Sequence, residues 1–501
     1  MEFHTREVKE MYHERAALSV AEQESLGVPS LVPPIEQMRR SMLAVLVERL
    51  QKTADNIQTI FFTGKYESGK RKKRKLVILG SGWASYAMIK MVDCSIWDIQ
   101  VVSPRNYFLF TPLLASSSVG TVEFRSITEP IRQSNERVEY VEAECLYVDP
   151  TRKVLTCAPV HKAERNSRTL EVGYDQLVVA VGAQTGTFGV DGVQQHCHFL
   201  RGIDDAHRLR RAIVEIFEKA NLDIYPEEQK RKLLSFVIVG GGPTGCEFAG
   251  ELCDLVRNDL TRFFPLLVNL VSIRLLQSRS SILTEFDASL REQALANFQK
   301  SGVNVMSNSK VVRVTKDNIF LRDGAEIPFG LCVWAAGNAP TNIAENLVAS
   351  IPDQAKRRGG RILVDDYLRV IGLKDVFAIG DCSEMASGDL PASAQVAVQQ
   401  GAYLSRLLNK LARDKESSNI RSGSSARPFR FLSLGFLAYI GNNRALAQIK
   451  LHNRQLKLAG RFAFLLWRLV YLSKQVSTRN RVLVLADWLK TLFFGRDISQ
   501  I

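Results

Sequence analysis

The chain has 501 residues, 46% of them hydrophobic, enough to bury large cores in two or three units of ordinary domain size. Its formal net charge of +14 raises a nucleic-acid partner, yet from Arg430 to Ile501 twelve Lys/Arg stand against only Asp487 and Asp497. That tail is also apolar, a mixture that suits an anionic membrane surface and argues against nucleic acid.

Residues 1–75 read as a variable extension. Glu2, Glu7, Glu10 and Glu14 are unlike an acid-poor transit peptide, and no signal-peptide core is present, so either the gene start is truncated or import uses another signal. Ile35 to Ile60, after Pro33-Pro34, has the pattern of an amphipathic helix. The run Lys70-Arg71-Lys72-Lys73-Arg74-Lys75 reads as a solvated linker, with nuclear targeting or lipid contact as alternatives.

Leu76 to Leu79 has the pattern of a short buried strand and leads into Gly80-Ser81-Gly82-Trp83-Ala84-Ser85. This is a G-x-G-x-x-S form of the dinucleotide fingerprint, its third glycine replaced by another small residue that close helix–strand packing tolerates. A second strand, Ile99 to Val102, ends at Ser103, 23 positions after Gly80 and near the spacing of about 20 expected for a ribose-binding acid. No acid stands there and Arg105 is close, so an adenine flavin suits the site better than NAD. Strands are also expected at Val138–Glu142 and Gln176–Ala180, the latter entering a small-residue turn at Val181-Gly182-Ala183.

After a charged connector, Asp204 to Lys232, the apolar run Leu233–Val239 meets Gly240-Gly241-Gly242-Pro243-Thr244-Gly245, which opens directly into a helix-like segment. The first glycine permits the tight turn, the second lets a pyrophosphate approach the backbone, and the third lets the helix pack on the strand. Amides at the new helix N-terminus face the anion. This unit continues through Ser272–Leu276 and closes near Cys332–Gly337, which includes Ala336. Asp375–Asp381 reads as a strand that delivers Asp381 just after Gly380. It is an ordinary strand end or, as two preceding dinucleotide motifs favour, an acceptor for a flavin ribityl hydroxyl. Pro391 is expected to open a helix that carries Gln395 and Gln399 on one face, with plain surface glutamines as the alternative.

Ser417 to Pro428, rich in Ser, Gly and Arg, marks a boundary. Beyond it Phe462–Leu472 is apolar except for Arg468. Arg481–Phe494 puts Val482, Leu485, Leu489, Leu492 and Phe493 on one side and Asp487, Lys490 and Thr491 on the other. At 1.5 Å per residue the segments are about 17–21 Å long, short of a hydrocarbon core of roughly 30 Å. A membrane interface is favoured for them over a dimer seam or plain core packing. The end, Ser499-Gln500-Ile501, is ordinary, with a peroxisomal tripeptide as a minor alternative. The eight cysteines are scattered with no C-x-x-C pair, which argues for a reduced chain with neither a disulfide framework nor a metal site.

Taken together, Gly80–Ala84, Ser103-Pro104-Arg105-Asn106-Tyr107-Phe108-Leu109-Phe110-Thr111-Pro112-Leu113-Leu114, Gly120–Ser126, Gly240–Gly245, Phe377–Asp381, Ala394-Gln395-Val396-Ala397, Leu466-Trp467-Arg468 and Phe494–Ile498 resemble the type II (alternative, rotenone-insensitive) NAD(P)H:ubiquinone dehydrogenases, in the mitochondrial style of plants and algae. The resemblance covers 76–501. It implies an α/β fold with two Rossmann-like dinucleotide-binding domains and C-terminal amphipathic membrane-anchoring helices. An FAD domain (76–203 and 338–426) would carry an inserted NAD(P)H domain (204–337), with the membrane region at 427–501. The implied activity is oxidation of NADH or NADPH through FAD with two-electron reduction of ubiquinone and no proton pumping. A peripheral homodimer at the mitochondrial inner membrane is implied, with neither face indicated.

On the same resemblance, FAD lies against Gly80, Ser81, Gly82, Trp83, Ala84, Ser103, Arg105, Thr111, Pro112, Ala180, Gly182, Gly380, Asp381, Gln395 and Val396. The nicotinamide nucleotide lies against Gly240, Gly242, Pro243, Thr244, Gly245, Glu247, Gln277, Arg279, Ala336 and Gly337. Glu247 resembles the family's glutamate at the flavin–nicotinamide contact, and Gln395 and Gln399 its quinone-site glutamines. Three departures stand out. Gln277 occupies the place where NADH-preferring members carry an acid; an amide does not repel a 2′-phosphate and Arg279 attracts one, so NADPH is expected to be usable. Val398 and Gln400 replace the His and Glu of some relatives. No EF-hand loop interrupts the nicotinamide domain, so direct calcium control is not expected. The rivals are a disulfide reductase or sulfide:quinone reductase, which need cysteines at the flavin (Cys157 with Cys332 or Cys382 in space), and a non-turnover flavoprotein resembling apoptosis-inducing factor.

Overall fold

The computed structural model describes residues 73–161, 168–355, 360–413, 427–451 and 454–499. The expected helix Ile35–Ile60, the first half of the basic run, most of the linker Ser417–Pro428 and the last two residues lie outside them. Two parallel sheets dominate. In the larger, the strands Val376–Ala378, Gln176–Val179, Arg74–Leu79, Trp97–Ser103 and Glu139–Asp149 lie side by side in parallel, and Val154–Pro159 and Leu170–Gly173 extend the edge antiparallel. Arg74–Leu79 is central because its Leu76 to Leu79 run is buried on both faces, as a parallel strand between helices must be. Helix α1 (Trp83–Met91) follows it directly.

In the smaller sheet all five strands are parallel, in the order His198–Phe199, Leu331–Trp334, Ser235–Val239, Ser272–Leu276 and Val303–Met306. This sheet begins at His198, ahead of the expected start at 204. Helix α2 (Ile203–Ala220) packs its apolar face inward, and helix α3 (Pro243–Leu255) leaves the central strand. A π-turn over Val256–Leu260 and a short 3-10 turn at Val268–Leu270 lengthen the route to Ser272–Leu276, which accounts for the long spacing between Gly240 and Gln277. The chain passes between the sheets twice, and the two passages pair antiparallel as Ala183–Thr185 and Asn338–Pro340.

In both sheets the chain's next parallel strand lies on one side of the central strand and a strand from much later in the chain on the other, Trp97–Ser103 and Gln176–Val179 around Arg74–Leu79, Ser272–Leu276 and Leu331–Trp334 around Ser235–Val239. Such switch points open a crevice at the strands' carboxyl ends, and both fingerprints sit there. Helix α4 (Ala394–Arg413) starts at Ala394, three residues after Pro391. It packs so closely on α1 that a Cβ on Gly401 would stand 2.4 Å from the Ala84 carbonyl oxygen.

The C-terminal part is a three-stranded antiparallel sheet, Phe436–Tyr439, Ala445–Leu451 and Arg454–Gly460, followed by helices α5 (Arg461–Lys474) and α6 (Thr478–Phe494). Each helix is slightly longer than expected, and none of the described helices is long and apolar enough to cross a membrane. Helix α6 is amphipathic in the reverse sense. Val482, Leu485, Leu489, Leu492 and Phe493 are exposed, from 46% to 74%. Its polar side faces the protein: Asp487 accepts the Glu123 amide at 3.0 Å and the Thr491 hydroxyl donates to the Thr121 carbonyl at 3.1 Å. Helix α5 likewise exposes Phe462, Leu465 and Leu469 while Arg468 stacks between the rings of Phe464 and Trp488.

Candidate active site

The two strand–turn–helix corners are built alike. Gly80 takes φ +105°, and a Cβ there would stand 2.4 Å from the Ala180 carbonyl oxygen; Gly240 takes φ +117°, and its Cβ would stand 2.7 Å from that of Ala335. Each glycine thus turns the chain against the small-residue turn of the neighbouring strand, Ala180–Gly182 in one case and Ala335–Gly337 in the other. Around Gly82 and Gly242, by contrast, an added Cβ would meet nothing within 4 Å. Neither glycine places a side chain over the helix that follows, so the first amides stay free for an anion. The third position closes each corner. A Cβ on Gly245 would collide with the Gly240 oxygen at 1.9 Å, and the equivalent Ser85 is fully buried. Both corners therefore have a tight turn, an open face of pyrophosphate width and a close-packed helix, which fits a dinucleotide at each.

At the first corner the Ser103 hydroxyl donates to Ser81 Oγ at 3.0 Å, so the two serines meet where a ribose acid would stand. The Arg105 amide donates to Ser103 Oγ at 3.2 Å while its side chain stays exposed. The Trp83 indole donates to Thr111 Oγ1 at 3.0 Å and its ring meets Phe108 edge-on, joining the fingerprint to the Phe-Thr-Pro string; Pro112 starts the turn Thr111–Leu113. A Cβ on Gly380 would stand 3.6 Å from those of Ala84 and Ala397, and the Gly380 amide donates to the side chain of Gln400 at 2.7 Å. Gln400 is buried and holds that turn in place. Val396, on the same helix, is buried as well. Burial pushes the Asp381 carboxyl above its ordinary pKa against the pull of Arg201, whose guanidinium stands 4.0 Å away. Arg201 also donates to the Asn338 side chain at 2.9 Å, on the returning passage. No sequence signal marked Arg201; its role comes from the crossing that folds over it.

At the second corner, Pro243 and Thr244 are exposed at the start of α3. Gln277 leaves the end of its strand beside the fingerprint, its Cβ 3.1 Å from where one on Gly241 would stand. Its amide donates to the Ser281 carbonyl at 2.9 Å and accepts from the Ser278 amide at 3.1 Å. The loop that results is uncharged except for the exposed Arg279.

Glu247 is 8% exposed on α3, and burial raises its carboxyl to a pKa of about 8. Its Oε1 accepts the Tyr439 amide at 3.3 Å. Two further acids follow on the same helix face, Glu251 and Asp254, both buried. Glu251 accepts the hydroxyls of Ser116 and Thr121 at 2.6 and 2.7 Å and an Arg496 N–H at 3.2 Å. Arg496 also reaches Asp259 at 2.8 Å, while the Tyr439 hydroxyl donates to Asp254. These groups border a cavity of about 330 Å³ between α3 and the two C-terminal helices. Acids at 247, 251 and 254 in an otherwise apolar helix were the signal that would have found this cluster.

Gln395 and Gln399 each grip main chain. Gln395 donates to the Gly435 carbonyl at 2.8 Å and accepts from the Leu434 amide at 3.1 Å. Gln399 does the same to both groups of Leu432, at 2.9 and 3.0 Å. The cysteine pairing that a disulfide or sulfide reductase would need, Cys157 with Cys332 or Cys382, does not form: Cys332 contacts Cys197, Cys157 lies opposite Cys145, and Cys382 donates to backbone carbonyls of its own turn and the neighbouring strand.

Comparison with known proteins agrees with this architecture. The pyridine nucleotide-disulphide oxidoreductase family matches residues 74–401, and the NDH2 C-terminal domain matches 434–497. A probable NADH dehydrogenase of Dictyostelium discoideum is 41% identical over 433 residues, covering 86% of this chain and 92% of that protein. An internal alternative NAD(P)H-ubiquinone oxidoreductase of Solanum tuberosum mitochondria is 39% identical over 477 residues, covering 91% and 94%. The solved structure of NDH2 from Plasmodium falciparum in complex with NADH superposes with a TM-score of 0.80 at 27% identity, covering 85% of this chain and all of that one. The matches span both parallel sheets and the C-terminal part, and the chain belongs to the type II NAD(P)H:ubiquinone oxidoreductases.

Proposed function

We propose that this enzyme binds FAD at the Gly80 corner and NADH or NADPH at the Gly240 corner, and reduces ubiquinone by two electrons at the mitochondrial inner membrane surface without pumping protons. The observation that carries this reading is the pair of open-faced cradles, one on each parallel sheet, joined by two paired passages. Bound flavin supplies the two-electron relay between nicotinamide and quinone. The chain's own residues do the rest. Amides at the starts of α1 and α3 hold the pyrophosphates, Ser103 and Ser81 take the place of a ribose acid, and Asp381 is placed to accept a ribityl hydroxyl. Glu247, protonated at neutral pH on its pKa, stands at the nicotinamide end of α3 as a buried proton store. Gln395 and Gln399, through the segment they grip, shape the quinone approach.

The uncharged turn at Gln277 with Arg279 beside it supports use of NADPH, because nothing there repels a 2′-phosphate. The exposed apolar faces of α5 and α6 support seating on a lipid surface as a peripheral protein, and a homodimer on that surface completes the proposal. The test is kcat/KM for NADH, NADPH and sulfide with a ubiquinone analogue on membranes. Both nucleotides are expected to work within about tenfold of each other, since the site discriminates only through a neutral amide and one exposed cation. NADPH more than about a hundredfold poorer would remove the nucleotide assignment, and turnover with sulfide alone would remove the function.

A further inference from the structure

Cys197 follows the short helix Val193–His196, and Cys332 is the second residue of the strand Leu331–Trp334. The strand His198–Phe199 pairs with it in parallel, His198 opposite Val333 and Phe199 opposite Trp334. Carrying the register back one residue sets Cys197 opposite Cys332. Their side chains meet: the Cys197 thiol donates to Cys332 Sγ at 3.3 Å. Opposed residues on neighbouring strands are about 4.8 Å apart at the backbone, inside the Cα window of roughly 4.4–6.8 Å that a disulfide needs. Closing the sulfurs to about 2.05 Å takes a shift of little more than 1 Å, within reach of the two side chains.

We propose that Cys197 and Cys332 are a redox modification site that hydrogen peroxide closes to a disulfide. Cys332 is fully buried, and burial with the Cys197 contact holds it as a thiol. Cys197 is half-buried and is the member that peroxide reaches. Its sulfur takes one oxygen from the peroxide, which breaks the O–O bond, and the first water leaves with the thiol proton, giving a sulfenic acid. The Cys332 sulfur then displaces the sulfenic hydroxyl, and the Cys332 proton leaves with it as the second water. Two thiols are oxidised by two electrons in all, and one peroxide is reduced to two waters.

The bond would span 135 residues of chain and sit at the root of the passages between the sheets. Just beyond Cys332, the Trp334 indole donates to the Gly186 carbonyl at 3.0 Å, and Asn338–Pro340 pairs with Ala183–Thr185. Tying residue 197 to residue 332 therefore braces the outgoing passage against the returning one. Cys145, opposite Cys157 across antiparallel strands, is the competing pair, and it is far enough away in sequence to give different peptides.

The flavin-loaded enzyme should be exposed to hydrogen peroxide, its free thiols alkylated, and its peptides mapped without reduction. A linked peptide pair containing Cys197 and Cys332 is expected, reversed by dithiothreitol and lost in Cys197→Ser. The thermal midpoint of the linked form should lie roughly 5 °C above that of the reduced form, as expected for a bond closing so long a loop. Cys197 oxidised to sulfinic acid without a link, a link at Cys145 and Cys157 alone, or no link at all would each overturn the proposal. If Cys197→Ser does not fold, the wild-type map alone decides. Equal thermal midpoints would overturn the bracing role.

Discussion

Glu247 holds its proton because it has almost no water to share its charge with. Its pKa of about 8 lies well above the ordinary 4.5, and burial is the largest cause. Between those two values the folded chain keeps a proton that the unfolded chain has released. Stability must then fall as pH rises through that window, by at most about 1.4 kcal/mol per pH unit for one group. Glu247→Gln is expected to flatten the fall between pH 5 and 8 by one proton's slope and to leave the midpoint near pH 5 almost unchanged. Denaturant midpoints of the two proteins at several pH values check this; parallel curves would show that Glu247 is ionised when folded. At this scale much was legible. The glycines at 80, 82, 240, 242 and 245 announce their turn geometry by type and spacing, and Gln277 its place at the end of a strand beside the second turn. Arg201 and Tyr439 were not legible, since each acts on residues more than a hundred positions away that only the crossing and the C-terminal sheet bring near.

Helix α6 carries its information in the direction it faces. Sequence periodicity separates the apolar stripe from the polar one but says nothing about which of them meets the protein, because both orientations share one period. The ordinary prior buries the apolar stripe. Here Asp487 and Thr491 spend their hydrogen bonds on backbone groups at 123 and 121, and Asn480, Val484 and Trp488 supply the buried contacts. Replacing Leu485 and Leu489 by Glu should consequently change the thermal midpoint in detergent-free buffer by less than about 1 °C, as expected for surface positions. The same pair should cut the fraction bound to anionic liposomes at least tenfold. A destabilised protein would place those leucines in a packed seam, and undiminished sedimentation with liposomes would move the lipid-facing surface elsewhere. The sheets were the easier half of the fold, because buried parallel strands read as short apolar runs next to glycine turns. Gln395 and Gln399 were found as a pair on one helix face, but their grip on residues 432–435 was hidden: a backbone partner leaves no mark in the sequence.

Across the whole molecule, the C-terminal helices are pinned at both ends to α3. On the way in, Gly250 lets the hairpin approach so closely that a Cβ there would stand 2.5 Å from the Gly441 nitrogen. On the way out, Arg496 enters with only 8% of its side chain exposed and meets Glu251 and Asp259. Arg210 of α2 adds a hydrogen bond to the Asp497 carbonyl at 2.8 Å. The helix that starts at the Gly240 corner is therefore also the post to which the two C-terminal helices are tied. Arg496→Met would leave two carboxylates buried without their cation, a loss of about 3–5 kcal/mol. Unfolding midpoints should drop accordingly, and Glu251→Gln in the same chain should recover part of the loss. A neutral effect of Arg496→Met would mean the tail is held by its flanking contacts alone. The two glutamine grips carry a different implication for how such enzymes diversify. Since Gln395 and Gln399 recognise amide and carbonyl groups that every residue except proline presents, the segment keeps its seat whatever side chains stand at 432 and 434, while Gly435 is fixed by its φ of +99° and by the Gln448 carbonyl, 1.9 Å from where a Cβ would stand. The exposed Leu432 and Leu434 are thus free to change while the core beneath them stays as it is.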